Sequence, residues 1–596
     1  MDTAAEFPFL LFEFADREGT IQPLCFVNPT KIIQTNAIDE VRTALQAVER
    51  ACNEGYYAAG FIAYEAAPAF DPAYAVVPGD PSLPLLWFGL FDKPLTEIPP
   101  HPHRDYQFTA WTPAVKRGDF DRQIANIKAA IAQGETYQVN YTMRLRAQFH
   151  GDDRTFYRTL AAAQQAPYSA YLNIGRQRIL SASPELFFRQ HGSHIMTRPM
   201  KGTAKRGLWM EDDSNQANWL LDSAKNKAEN VMIVDLIRND LGQIAETGSV
   251  HVDSLFAVEA YPTVWQMTST ITATTRADTT LDDVFAALFP CGSITGAPKI
   301  STMKKIAELE DSPRGVYCGA VGYMTPDHTR VFNVAIRTVV LDASTGVAEY
   351  GAGGGITWNS EAQEEYTEAL TKAAILTETV PVFELLETMR LEQGQYALLD
   401  RHLRRLAKSA RYFDIPLDLP RVQEQLDEHA RAFDSFARRV RLLVSRDGQI
   451  RIESTALSPS PLESRPVALA NRPVSRYNRF LYHKTTCRDV YEALQSEHPD
   501  ALDVLLWNEQ EEITEFTIGN VVLNIRGELL TPARESGLLD GTLRAELLEQ
   551  GVVHAATITL SELTDARQIW LINSVRGWIP VHFWPSSVLS QNVLQR

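Results

Sequence analysis

The sequence predicts an α+β protein of more than one domain: β-sheets with surrounding helices, followed by a second mixed unit after about residue 380. Three observations predict this. The chain has 596 residues, 45% hydrophobic and 22% charged, enough to bury several cores. Short apolar runs broken by Pro and Gly read as strands, while three longer stretches keep helical spacing. Near 378–381 the pattern changes, and a new strand, turn, strand and helix begin.

Residues 1–100 carry PFLLFEF, GYYAAGFIAYEAAPAF and LPLLWFGLF, which read as strands and loops. From Asp119, the residues Phe120, Ile124, Ile127 and Ile131 keep helical spacing up to Gly134, and YQVNYTMRLRAQF then alternates as a strand. SNQANWLLDSAKNKAENVMIVDLIRNDLGQIA reads as one long helix. SEAQEEYTEALTKAAILTE reads as another, after the glycine cluster GAGGG at 351–355, and ends near Val380. VFELLETMRLEQGQYALLDRHLRRLAKSARYF opens the last part. The expected division is 1–100 as the N-terminal part of a first domain, 101–378 as its catalytic core, and 381–596 as a second domain.

Lys and Arg number 57 against 74 Asp and Glu, a net charge of −17, which argues against nucleic acid as a partner because no basic excess is available to meet phosphates. The five cysteines, Cys25, Cys52, Cys291, Cys318 and Cys487, are odd in number and far apart, without a C-x-x-C pair. Neither a disulfide framework nor a thiolate zinc site is indicated, and a reducing cytoplasm fits. The N-terminus carries acids where a signal peptide needs bases, and no run of 18 apolar residues occurs, so no membrane association is expected.

In EEYTEALTK, Glu365, Glu368 and Lys372 stand three and four residues apart and project from one helical face. Spacing alone also fits a solvated face with a Glu–Lys pair. GAGGG precedes this helix, and CGSITGAPK ends in Pro298 at an expected first helical turn, so both segments are candidates to offer backbone N–H groups to an anion. Two anion cradles suggest a ligand with two carboxylates. Acids beside them suit Mg²⁺, which takes one or two protein carboxylates and completes its shell with water and substrate oxygens.

The segments GETYQVNYTMRL, SASPELFF, TRPMKGT, AENVMIVDLIRND, CGSITGAPK, YCGAVGY, VAIRTVV, GAGGG and EEYTEALTK, in order over about 134–372, resemble the chorismate-utilising enzymes. That family contains anthranilate synthases, aminodeoxychorismate synthases and isochorismate synthases. The resemblance implies the chorismate-utilising fold and chorismate as substrate. It implies that Glu229 and Glu368 bind Mg²⁺, and that Glu185 is the general acid/base. It further implies that Tyr323, Arg337 and Lys372, with backbone groups of Gly292, Ser293 and Gly353, hold substrate carboxylate. Lys201, in RPMKGT, matches the lysine of aminodeoxychorismate synthases, where anthranilate synthases usually have Ala, and the resemblance makes it the nucleophile.

Chemistry agrees, since replacing the C4 hydroxyl by nitrogen with retention is easiest as two allylic displacements through an amine at C2. That amine must be neutral, which burial beside cations favours. Read without the family, a Lys before Gly-Thr is more often a surface charge. One departure is Gln266 in VWQMTSTITA, where many relatives carry His; Gln cannot titrate near neutral pH, so any acid/base role of that His is lost, and either the rate suffers or the role was only positional. LLFEF and GFIAYEAAPAF either line a tryptophan pocket, as in relatives, or are ordinary core strands.

The segments FELLETMR, RHLRRL, YHKTTCR, EITEFTIGN, GLLDGTLR and LINSVRGWIPV, over 381–596, resemble the class IV aminotransferases, whose fold has two subdomains. The resemblance implies pyridoxal 5′-phosphate (PLP) joined to Lys484, with Glu515 at the pyridine nitrogen, Arg405 on the phosphate, and backbone N–H groups of Thr542, Leu543 and Ser574 completing the phosphate cup. An acid at the ring nitrogen keeps it protonated as an electron sink, and the freed lysine moves protons. The wording NSVRG and HKTT looks closer to the lyase branch of that family than to its branched-chain aminotransferases.

Joined, the two sets imply a chain that aminates chorismate and then eliminates pyruvate to give 4-aminobenzoate for folate synthesis. Ammonia is expected from a separate glutamine amidotransferase subunit, because no such Cys nucleophile pattern is visible. A homodimer through the PLP domain is left open. The competing readings are an anthranilate synthase-like domain, or a chorismate-binding scaffold, fused to an unrelated PLP aminotransferase.

Overall fold

The apolar runs of the first hundred residues form the strands Phe9–Phe14, Leu24–Val27, Lys31–Thr35, Tyr57–Ile62 and Leu86–Phe91, which divide between two sheets. The computed structural model describes residues 8–377, 381–433, 436–458 and 463–583. It separates into one unit of Met1–Arg206 with Ala217–Val380, and a second of Gly207–Gln216 with Pro381–Arg596.

In the first unit, Phe9–Phe14 and Leu24–Val27 close one edge of a ten-stranded sheet whose far edge holds Val347–Ile356, Gln138–Gly151 and Gly296–Ala297. The other three early strands join a second ten-stranded sheet that runs to Val264–Thr274 and Met200–Lys205. Leu10, Phe12, Phe14 and Phe26 from the first sheet meet Phe61, Trp87 and Phe91 from the second in one core. LLFEF thus lies in a buried strand, and GFIAYEAAPAF leaves the strand Tyr57–Ile62 after its first three residues and passes into the 3₁₀ helix Tyr64–Ala69. Each such ring contributes about 1.5–3 kcal/mol by leaving water.

The expected helix before the long strand is Arg117–Ala132, which buries Phe120, Ile124 and Ile127. The stretch read as one long helix is two, Met210–Asp222 and Ala224–Gly242. Ser223 breaks it: its hydroxyl accepts the Asn226 N–H and caps the second helix, a local bond that competes with helix continuation. Pro298 is the N-cap of Lys299–Leu309 rather than its first-turn residue. GAGGG is part of a strand, Val347–Ile356, with Gly353 opposite Thr142 and Gly355 opposite Asn140. Pairing with Thr338–Asp342 on the other side ends at Tyr350, so from Gly351 onward that edge has no strand partner among the described residues. The acidic helix is Ala362–Ala373, and its expected end near Val380 falls outside the described residues.

A buried ionic cluster ties the long strand to the segment after Lys299–Leu309. Glu310 accepts Arg144 Nη2 at 3.2 Å and Arg314 Nη2 at 2.7 Å, and Arg314 Nη2 also reaches the Asn140 carbonyl at 2.7 Å. Glu65 accepts the N–H groups of Arg314 and Gly315 at 2.7 and 2.9 Å.

The second unit has two sheets. Gln395–Tyr396, Leu385–Glu392, Arg438–Val444 and Ile450–Ala456 form an antiparallel four-stranded sheet, and the helices Leu399–Tyr412 and Leu419–Arg431 share its core through Leu406, Ala410, Val422 and Leu426. An eight-stranded mixed sheet carries Val504–Trp507, Ile513–Phe516 and Asn520–Ile525. Trp209 belongs to this unit and stacks on Tyr482, with centroids 5.1 Å apart. Among the described residues no helix is long and apolar enough to cross a membrane.

Candidate active sites

Lys201 sits on a β-bulge. The strand Met200–Lys205 pairs with Val264–Thr274, but the register shifts between Met200 and Thr203. Gly202 supplies the left-handed conformation, φ +104°, and a Cβ there would stand 3.1 Å from Asn226 Cβ. Two side-chain amides fix the bulge. Asn230 Nδ2 donates to the Lys201 carbonyl at 3.2 Å, and Gln266 Nε2 donates to the Gly202 carbonyl at 2.7 Å. Ser269 Oγ in turn holds Asn230 Oδ1 at 2.6 Å, and Thr203 Oγ1 holds Gln266 Oε1 at 3.0 Å.

Lys201 lines a cavity of about 510 Å³. Burial pulls its ammonium below the usual range, Lys372 adds to this, and Glu229, Glu368 and Glu365 oppose it. The Lys201 Nζ and Gln138 Nε2 lie 2.2 and 2.5 Å from the point where Gly355 would carry a Cβ. Only glycine leaves them that space.

Glu365, Glu368 and Lys372 converge on the same strand. Glu365 Oε2, Lys372 Nζ and Glu368 Oε1 come within 3.2, 3.6 and 3.8 Å of a Cβ placed on Gly354. Lys372 Nζ is 2.6 Å from Glu368 Oε1 and donates to the Gly353 carbonyl at 2.8 Å. Lys372 holds Glu368 below the usual carboxylate range, while burial, helped by Glu368, pushes Glu365 up. Glu229, from the helix Ala224–Gly242, lines the cavity too. Among the described residues no group of three His, Cys, Asp or Glu stands ready to hold a metal. Two carboxylates on one open cavity fit Mg²⁺, which completes its shell with water and substrate oxygens.

Glu185 lines the same cavity as Lys201. Burial pushes its carboxyl up to about 7, against the Ser293 hydroxyl, the Met200 N–H and Lys201. Ser293 Oγ donates to Glu185 Oε1 at 2.6 Å. A buried acid that keeps its proton near neutral pH beside a neutral-leaning amine is equipped to protonate a leaving group while the amine attacks.

In the second unit a cavity of about 340 Å³ is lined by Lys484, Glu515, Arg405, Thr542, Leu543 and Ser574. Burial pushes Lys484 down to about 8, with Arg405 and Arg488 adding to the effect. Burial pushes Glu515 up to about 8, although Tyr491 Oη donates to its Oε1 at 2.7 Å. A buried carboxyl at this place is a candidate partner for a pyridine nitrogen. Arg405 donates through Nε and Nη2 to Glu387 at 2.9 and 2.6 Å, and Glu387 also bonds His402 Nδ1 at 2.6 Å. Gly541 is the N-cap of the helix Thr542–Glu549, so the first N–H groups of that helix border the cavity beside Arg405. A Cβ on Gly541 would stand 1.9 Å from Asn520 Oδ1. Amine, proton-bearing acid and phosphate donors in one cavity fit PLP.

Residues 92–378 match the family described as chorismate binding enzyme, and residues 384–584 match the amino-transferase class IV family. The chain joins a chorismate binding enzyme domain to a class IV aminotransferase domain. The chorismate-binding domain is 41% identical over 272 residues to aminodeoxychorismate synthase component 1 of Escherichia coli (strain K12), covering 46% of this chain and 60% of that protein. It is 41% identical over 264 residues to the protein of the same name from Klebsiella aerogenes, covering 44% of this chain and 58% of that one. The chain thus spans about three fifths of these curated relatives. Among solved structures it resembles anthranilate synthase component I from Streptococcus pneumoniae TIGR4, with 25% identity, a TM-score of 0.50, and coverage of 62% of this chain and 90% of that one.

Within the chorismate-binding domain, Glu185, Lys201, Glu229, Ser293, Arg337, Gly353, Glu368 and Lys372 line one cavity. Tyr323 does not. Alternation along the strand Ala320–Met324 puts it with Val321 on the face toward the inter-sheet core, where its ring meets Phe12 and Phe14 at 5.5 and 5.7 Å. Tyr317 and Tyr350 line the cavity in its place. Gly292 lies in the turn beside Ser293, not among the lining residues, and a Cβ on it would stand 2.4 Å from Leu236 Cδ2. Sequence reasoning gave no role to Gln138, whose two amide atoms are buried without hydrogen-bond partners among the described residues, to Asn230 behind Lys201, or to Glu387 behind Arg405. Gln138 and Glu387 stood inside the quoted segments YQVNYT and FELLETMR, but a buried amide or acid has no spacing signal of its own.

Proposed function

We propose that the chain converts chorismate and ammonia to 4-amino-4-deoxychorismate in its chorismate-binding domain, and eliminates pyruvate from that product in its aminotransferase domain to release 4-aminobenzoate for folate synthesis. The observation that carries this reading is Lys201: a buried amine, lowered toward neutrality, aimed by a bulge into the cavity that holds Glu185.

In the first step the neutral Lys201 Nζ bonds to C2 of the ring as the C4–O bond breaks and the double bond shifts. Glu185 gives its proton to the departing hydroxyl, which leaves as water. Ammonia then bonds to C4, the double bond returns, and Lys201 departs from C2 as an amine. Arg337 and Lys372 pair with substrate carboxylate. When bound, Mg²⁺ supplies a Lewis acid for the ring carboxylate, and Glu229 and Glu368 would hold it. The name component 1 borne by the relatives supports a separate subunit as the source of ammonia.

In the second step, Lys484 removes the C4 proton, the bond from the ring to the enolpyruvyl oxygen breaks, and the ring becomes aromatic as pyruvate leaves. Arg405, Thr542, Leu543 and Ser574 would hold the cofactor phosphate, and Glu515 would hold the ring nitrogen. When bound, PLP supplies the electron sink for this elimination.

The test is product analysis after incubation of the protein with chorismate, Mg²⁺, PLP and ammonium. 4-Aminobenzoate with an equal amount of pyruvate supports both steps. Anthranilate would overturn the role of Lys201, and aminodeoxychorismate alone would overturn the second step.

A further inference from the structure

Gln138 opens the strand Gln138–Gly151 and is fully buried, yet neither its Oε1 nor its Nε2 has a hydrogen-bond partner among the described residues. Leaving a buried amide unpaired is costly, so a side chain kept in that state calls for an explanation. Its backbone is anchored. Ala297 pairs with it across the sheet, and Thr136 Oγ1 donates to its carbonyl at 3.1 Å.

Alternation along the strand puts Gln138 on the same face as Asn140, which lines the first cavity. There Gln138 Nε2 and Lys201 Nζ lie 2.5 and 2.2 Å from one point, the place of a Cβ on Gly355, and are no farther apart than those distances together. Lys201 Nζ has no hydrogen bond or ion pair among the described residues either. Two polar groups without partners thus adjoin. A half-turn of the amide exchanges its oxygen and nitrogen in the same volume, so Gln138 can offer an acceptor or a donor to a small molecule beside the lysine.

The second displacement of the amination calls for such a molecule. Ammonia bonds to C4 while Lys201 Nζ leaves C2, two bonds away on the same ring. The ammonia lone pair forms the C4–N bond, the double bonds shift, and the C2–N bond breaks with its electron pair going to Nζ. One proton passes from the incoming nitrogen to Nζ. That transfer is short when ammonia stands next to Nζ, where Gln138 lies. A neutral amide suits this ligand, because its oxygen accepts an N–H of ammonia and leaves the lone pair free. A carboxylate at the same place would favour ammonium, which has no lone pair, and would favour protonated Lys201 as well.

We infer that Gln138 is the binding residue for ammonia, holding it through the amide oxygen beside Lys201 for attack on C4. This rests on the amination reading above and deepens it, by giving ammonia from any source a place next to the nucleophile.

The test compares the full-length chain with Gln138→Leu and Gln138→Met, in the presence of Mg²⁺. Both replacements fill much of the space of the amide and bury no unpaired polar atom, so Tm is expected to stay level or rise; if one variant does not fold, the other is read. Aminated product, as 4-amino-4-deoxychorismate plus 4-aminobenzoate, is measured against free ammonia and against chorismate. With ammonia omitted, the peptide that carries Lys201 is followed for a gain of the mass of chorismate less water. In the variants the half-saturating concentration of free ammonia is expected to rise at least about tenfold, with that of chorismate and the rate of adduct formation within about twofold of wild type. An unchanged half-saturating ammonia concentration would overturn the site. So would adduct formation slowed as far as amination, which would make Gln138 a positioning residue for Lys201. A wild type that yields no aminated product would instead remove the amination reading, and the ammonia site with it.

Discussion

Gln266 Nε2 donates to the carbonyl of Gly202 at 2.7 Å, one residue beyond Lys201, and so holds the bulge that aims the lysine. An amide does this by geometry alone, without titrating. Its role is positional.

Gln266→Ala is therefore expected to lower kcat for amination by about tenfold or more while costing about 0.5–1.5 kcal/mol of stability, the usual worth of one hydrogen bond. The pH–rate profile should keep its shape. A displaced limb in that profile would contradict a purely positional role.

In the proposed mechanism Glu185 sets the pH dependence of the first step. Its folded pKa, about 7, lies above that of an unfolded glutamate, so the folded state prefers the protonated form. The stability this contributes is present below about pH 4.5 and is lost as pH rises through about 7. In the proposed mechanism the protonated acid is also the catalytic form. At a fixed concentration of free ammonia, kcat/KM for chorismate should fall above about pH 7. Glu185→Gln should remove that limb, lower the rate by about 10²–10⁴-fold, and flatten the decline of Tm between pH 5 and 8.

Glu310 holds two buried guanidiniums. Burial pushes its pKa up, but Arg314 and Arg144 outweigh this and keep it below the usual range. Glu310→Ala would strand both cations behind the Asn140 wall of the cavity, at a cost of about 3–5 kcal/mol in denaturant unfolding. A loss below about 1 kcal/mol would show that water reaches the site.

Much of this was legible in the sequence. The helix face of Glu365, Glu368 and Lys372 follows from spacing, and so do the early strands, because both depend on local periodicity. What was not legible depends on contacts across the sheets. Tyr323 carries the motif position, but strand alternation turns it into the core and leaves Tyr317 at the cavity. GAGGG reads as a segment offering backbone N–H groups to an anion, and the spacing did not show that its glycines also make room for Lys201, Gln138, Glu365 and Lys372, which close on the strand from elsewhere in the chain. Ser223 interrupts a helix whose periodicity runs straight through it.

The order of the two sites is the central claim, and the products formed by Lys484→Ala from chorismate and ammonium test it most directly. The account predicts that 4-amino-4-deoxychorismate accumulates at close to the wild-type rate of amination, with no enzymatic pyruvate and no 4-aminobenzoate. Wild-type formation of 4-aminobenzoate by this variant, or loss of the aminated intermediate with it, would contradict the account.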